Sequence, residues 1–206
     1  MKKSYKVLSF VSVSIILFSN FCLIIRMRNY KVQRSVCESY RQRLSSYIST
    51  ATDLLENDGL ELSNVYMVDV SDHTPLPFTS LFLAGVDRIL VCRISQYYCE
   101  SCVNYAIKRV VSAMSDSLIN MPLAVFGMYE NDLSLKIISN QYNKSNGVVY
   151  YKTSALNLPM EQHGSPYCFV LDRSLRVSDV FTFDKIDSVR NDSYFRIISK
   201  KWKSEN

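Results

Sequence analysis

The sequence predicts a small α/β domain built on a mixed sheet, carried behind an apolar helical segment. Three observations lead there. Short β-rich runs alternate with helical stretches from residue 60 onward, a 19-residue uncharged run stands near the amino terminus, and QYYCESCVNYAIKRV at 96–110 sets Cys99 and Cys102 at the head of a helix. Strands alternating with helices, then two close strands and a last helix, describe a sheet with helices packed on its faces.

With 206 residues, 48% hydrophobic and 21% charged, the chain can bury one substantial core with an appendage. The appendage is VLSFVSVSIILFSNFCLII, Val7 to Ile25. As a helix it would rise about 28 Å, close to the hydrocarbon thickness of a bilayer. A cleaved leader would have a shorter apolar core and a small-x-small site after it, whereas this run passes straight into Arg26, Arg28, Lys31 and Arg34. Residues 1–28 therefore read as an uncleaved membrane anchor, with residues 7–25 in the bilayer. Phe21 is too bulky before Cys22 for a lipidation site.

Lys2, Lys3 and Lys6 on one side of the run balance the cations on the other, so flanking charge gives no orientation. Residues 1–34 hold seven of the 24 Lys and Arg and no acid, leaving 17 basic against 19 acidic residues beyond them. The net charge of +5 is thus a property of the membrane flank. No basic surface interleaved with aromatics points to nucleic acid.

Residues 29–59 read as a juxtamembrane helix and linker. Val32, Val36, Tyr40, Leu44, Ile48, Ala51 and Leu55 recur at helical spacing, a stripe that either packs on the domain after it or forms a stalk or dimer seam over residues 32–55. The turn Asn57-Asp58-Gly59 ends it, and residues 60–206 form the domain. Strands are expected at 65–70, 88–94, 122–129, 147–151, 167–172 and 176–183, with helices near 100–117, 131–142 and 184–201.

Chemistry concentrates at the cysteine pair. RILVCRIS is a buried-strand run, QYY a turn, and CESCVNYAIKRVV a helix with Val103, Ile107 and Val110 on one side. Cys99 thus caps a helix amino terminus, where free backbone N–H groups and the helix dipole favour a thiolate. Cys102, one turn on and on the same face, is within reach of a disulfide. Cys99 would attack a partner disulfide and Cys102 would resolve the mixed species. The redox-active Cys99–Cys102 disulfide is then the only cofactor required. Cys92 and Cys168, in apolar strands, read as core thiols. His73 reads as a residue of an exposed turn.

This arrangement resembles the thioredoxin fold, a three-layer sandwich on a mixed sheet, and more closely the membrane-anchored, TlpA-like thiol:disulfide oxidoreductases of bacteria. The likeness covers roughly residues 60–200. It rests on the strand-turn-CxxC-helix and on HGSPYCFVLDRSLRV (163–177), similar to the family's small residue, cis-proline, apolar strand, Asp and turn. VDVSDHTPLPFTSLF (68–82) looks like its opening strand, turn and short helix. The resemblance implies that Pro166 is a cis-proline lying against the thiols, with Ser165 offering backbone to an extended partner. It also implies a bacterial inner-membrane protein, single-pass, whose carboxyl-terminal domain faces the periplasm and exchanges disulfides with protein thiols.

The chain departs from the family where thioredoxins have a Trp before the first Cys, Gly-Pro between the two, and a buried Asp upstream. Here stand Tyr98, Glu100-Ser101 and Arg93. Arg93 would favour a thiolate if it pointed at the pair, and Glu100 would oppose one. Without a His or Arg between the cysteines, a potential toward the reducing end of the fold is expected. Two alternatives stay open: a copper-binding chaperone holding its ion with Cys99, Cys102 and His163, and a non-catalytic thioredoxin-like scaffold. No Thr stands three residues before Cys99, as peroxidase relatives would have.

Overall fold

The computed structural model describes the backbone of residues 2–62, 66–116, 121–142, 148–185 and 187–205, without the side chains of 2–17, 46, 50, 83–85 and 203–205. The expected strand starts at Val65 and Gly147, and the helix end at 117, lie outside the described residues. The chain divides into a unit of Met1–Ser49 and a unit of Thr50–Asn206.

A continuous helix, α1, runs from Lys2 to Asn57. The anchor and juxtamembrane helix expected as separate segments are one because no Gly or Pro interrupts them. Among the described residues no helix is long and apolar enough to cross a membrane. Most of the apolar run, residues 7–17, lies outside the described side chains.

The packed unit begins within the last turns of α1. Asp53 and Asn57 are buried there. Asn57 Nδ2 donates to the Asp53 carbonyl (2.7 Å), and its Oδ1 accepts from the Met160 N–H at 3.2 Å. Thr182 Oγ1 donates to Asp53 Oδ2 at 2.9 Å. These bonds satisfy polar groups that burial would otherwise penalise, so the end of α1 is part of the domain's fabric.

The sheet has seven strands in the order β2-β1-β5-β4-β3-β6-β7. They are β1 (Tyr66–Asp69), β2 (Pro75–Pro77), β3 (Arg88–Ser95), β4 (Leu123–Met128), β5 (Val148–Thr153), β6 (Tyr167–Asp172) and β7 (Val177–Thr182). β3, β4 and β5 are parallel, and β1, β2, β6 and β7 add antiparallel on the two sides. The helices are α2 (Glu100–Ser115), α3 (Asp132–Tyr142) and α4 (Ser188–Glu205). A 3-10 segment at Phe78–Gly85 forms the short helix expected after the opening strand.

Strand β3 is interior to the sheet, between β4 and β6, and all of it after Arg88 is buried. Its period-two alternation divides two cores. Leu90, Cys92 and Ile94 join Val103, Ile107 and Val110 of α2 and Phe195 and Ile198 of α4. Ile89 and Val91 join Phe78, Phe82, Met160 and Phe169 on the other face. Cys92 and Cys168 are register partners across β3 and β6 and fully buried, so they behave as core residues.

Candidate functional site

Strand β3 delivers the chain to the end of the sheet, where the turn at 96–98 leads into α2. Cys99 is the N-cap of α2, and its carbonyl accepts the first helical bonds, from Cys102 N (2.8 Å) and Val103 N (3.0 Å). Val103, Ala106, Ile107, Val110 and Ala113 bury the inner stripe of the helix, fixing which way its first turn faces. Cys99 is exposed, Cys102 is partly buried, and both thiols are free in this structure.

The two sulfurs differ in environment. Hydrogen bonds from the Cys102 thiol, the Ser101 hydroxyl and the Cys102 N–H, with the nearby Lys185 cation, bring the Cys99 thiol down from 9.0 to about 7. Burial pushes the Cys102 thiol up, and its hydrogen bond to Cys99 adds to the effect. Near neutral pH the thiolate is therefore favoured at the exposed Cys99 over Cys102, whose thiol burial keeps protonated. Ser101 Oγ lies 3.1 Å from Cys99 Sγ, and Lys185 Nζ lies 2.8 Å from Ser101 Oγ and 4.0 Å from Cys99 Sγ.

Arg93 does not act on this pair, contrary to one sequence-based expectation. By strand alternation it faces away from α2 and is fully buried. Its Nη2 lies 2.6 Å from Glu161 Oε1, its Nε donates to the same oxygen at 2.8 Å, and it also donates to Thr153 Oγ1 and to the Ser154 carbonyl. Glu161 Oε2 accepts from the N–H groups of Leu156 (2.9 Å) and Asn157 (3.0 Å). The ion pair thus pins the 154–161 segment beneath the sheet.

Tyr98 is buried among the α2-side core, its hydroxyl without a hydrogen-bond partner among the described residues, and burial raises its pKa. It packs the turn that presents Cys99. Glu100 is exposed in the first turn of α2. Its charge is felt at Tyr129, whose hydroxyl is pushed up to about 12, chiefly by burial.

Arg93 pairs with Tyr167 in the β3–β6 register, so Ser165 and Pro166 enter β6 at the end of the sheet where β3 leads to the cysteine turn. Pro166 is buried and Ser165 partly so. The peptide bond before Pro166 is trans, as are all the described ones, which corrects the cis-proline expectation. The turn into β6 is instead made by Gly164, in the left-handed region at φ 63°.

The copper set does not assemble. His163 Nδ1 faces Asp53 Oδ1 at 3.3 Å. Among the described residues no group of three or more His, Cys, Asp or Glu side chains is placed to hold a metal ion. Lys185 and Ser101 are the site residues that sequence reasoning missed as such. Ser101 carried a legible signal, a hydroxyl between two cysteines. Lys185, in the turn between β7 and α4, carried none.

No family model and no curated protein matches this sequence. Solved structures do. The chain is similar to an uncharacterized thioredoxin-like protein from Porphyromonas gingivalis, at TM-score 0.50 and 14% identity over 70% of this chain and 95% of that one. A SCO1/SenC family lipoprotein from Bacillus anthracis str. Ames gives TM-score 0.48 and 11% identity, covering 70% and 95%. Reduced Prx3 from Vibrio vulnificus gives 0.48 and 11%, covering 69% and 97%. The fold is thioredoxin-like.

Proposed function

We propose that this chain is a thiol:disulfide oxidoreductase that exchanges disulfides with protein partners through Cys99 and Cys102. The observation that carries the reading is the placement of the two thiols: Cys99 is the exposed N-cap of α2 with the Ser101 hydroxyl at 3.1 Å and the Lys185 ammonium at 4.0 Å, and Cys102 is partly buried one turn on, surroundings that lower the first thiol's pKa and raise the second's. The Cys99 thiolate attacks one sulfur of a partner disulfide, forming a mixed disulfide and releasing the partner's other sulfur, which takes up a proton. Cys102 then gives up its proton and attacks Cys99 Sγ, and the second partner thiol leaves. The pair ends oxidised by two electrons and the partner reduced by two. Every step is reversible.

The full chain, with dithiothreitol as reductant, is expected to speed the reduction of insulin disulfides in proportion to its concentration. A rate equal to dithiothreitol alone, with stoichiometric copper retained by the reduced protein, would favour the metal reading instead.

We place residues 7–25 in the bacterial inner membrane as a TlpA-like anchor, with the domain in the periplasm. The length and charge-free run of Val7–Ile25 support it. Protease added to spheroplasts should then digest the domain. Protection until the membrane is broken would make it a cytosolic reductant. The exposed Val32, Val36, Tyr40, Leu44 and Ile48 stripe supports self-association through residues 32–55.

A further inference from the structure

The polarity of one hydrogen-bond chain beside the cysteines is fixed by its chemistry. An ammonium has donors and no acceptor, so in the 2.8 Å contact Lys185 Nζ donates and Ser101 Oγ accepts. The single Ser101 proton is then free to point along the 3.1 Å contact to Cys99 Sγ. A cation and a hydroxyl in series present hydrogen to the sulfur, an arrangement that suits a thiolate. Its charge also favours the thiolate of Cys102, one turn further along α2, against the effect of burial. The ammonium thus lies, on a flexible four-carbon stem, beside the first turn of α2 that carries both sulfurs.

The flanking carboxylates do not hold this cation back. Asp184 Oδ1 accepts the Asp187 N–H at 3.2 Å, and its Oδ2 faces Arg190 Nη1 at 3.4 Å. Asp187 Oδ1 accepts the Arg190 N–H at 3.0 Å. Both acids are engaged in capping α4, and exposed Lys185 between them turns toward α2. Among the described residues the titratable groups that act on each sulfur are the other cysteine and Lys185, with Glu100 next to Cys99 in sequence and Asp184 and Asp187 near Lys185 in the turn before α4.

We propose that Lys185 is a positioning residue that serves the two sulfurs in turn: through Ser101 it holds the Cys99 thiolate for attack, then shifts to the Cys102 thiolate for resolution. The proposal rests on the exchange reading of the cysteine pair. In the first step Cys99 Sγ bonds to a partner sulfur and loses its negative charge, so the attraction that held the ammonium there is gone. In the second step the charge reappears on Cys102 as its proton leaves. A cation confined to Cys99 would help only the first step.

The test uses the full chain in detergent, with Cys22→Ala and Cys37→Ala to remove the other exposed thiols. Reduced protein is mixed rapidly with an aromatic disulfide, dithionitrobenzoate. Attack by Cys99 releases one coloured thiolate and resolution by Cys102 a second. Lys185→Met is expected to slow both releases by about 2- to 5-fold at low salt, the range for an exposed charge contact, with the gap narrowing in high salt. Ser101→Ala should slow the first release alone, and Lys185→Arg should restore most of both. The pH profile of iodoacetamide attack on the Cys99 peptide should move upward in Lys185→Met and Ser101→Ala. Slowing of the first release only, or of neither, overturns the shared role while leaving the exchange reading intact. Absence of a second release from the parent protein overturns the exchange reading, and the proposal with it.

Discussion

Replacing Cys99 by Ser is expected to bring disulfide exchange down to the uncatalysed level, whereas Cys102→Ser should leave the chain covalently joined to its partners. The asymmetry follows from the geometry. Cys99 is the exposed N-cap of α2 and carries the acidified thiol, so losing its sulfur removes the nucleophile. Cys102 acts second. Its replacement leaves attack intact and removes resolution. The choice of Ser matters, because the largest contribution to acidifying Cys99 is the hydrogen bond from the Cys102 side chain, and a Ser hydroxyl still donates one. Cys102→Ala should trap partners more slowly for that reason. Non-reducing gels of cells expressing each variant read the result, and equal trapping by Cys99→Ser and Cys102→Ser would remove the assignment of roles.

The largest effect on stability is expected at Arg93. Arg93→Met leaves Glu161, whose side chain is 12% exposed, without its cation, and strips donors from Thr153 Oγ1 and the Ser154 carbonyl. Breaking one side of a buried pair costs roughly 3–5 kcal/mol, far more than an exposed salt bridge contributes. Glu161→Gln should cost a similar amount, since it leaves the fully buried guanidinium uncompensated. The double variant Arg93→Met/Glu161→Gln should cost clearly less than the sum of the two, because neither charge is then stranded. Urea unfolding of the full chain measures all three. A loss below about 1 kcal/mol in Arg93→Met would mean that the pair does not hold the 154–161 segment.

The central features were legible because they are local. RILVCRIS has the continuous apolar character of a strand buried on both faces, and the CxxC helix shows its buried stripe in Val103, Ile107 and Val110. The side on which Arg93 lies was also legible in principle: it comes after Cys92, which shares a face with α2, so alternation sends Arg93 to the other face. Strand β2 falls within the strand, turn and short helix expected over 68–82 but was not expected itself; its Pro75 and Pro77 are tolerated because β2 is at the edge, where a missing N–H costs no ladder bond. The burial of Asp53 and Asn57 depends on Met160 and Thr182, more than a hundred residues away, and no local pattern announces it. The Lys185–Ser101 contact is of the same kind, spanning 84 positions between α2 and the turn before α4.

The most direct test is a redox titration of the full chain in glutathione buffers, with the Cys99–Cys102 peptide followed by mass spectrometry after acid quench. The pair should interconvert as one reversible two-electron couple while Cys92 and Cys168 stay reduced. With the attacking thiol at about 7, its potential should lie near thioredoxin's value of about −270 mV, not near the −120 mV or so of strongly oxidising relatives. A Cys99–Cys102 pair that stays dithiol across the whole range of buffers, with no intramolecular disulfide at any poise, would contradict the account.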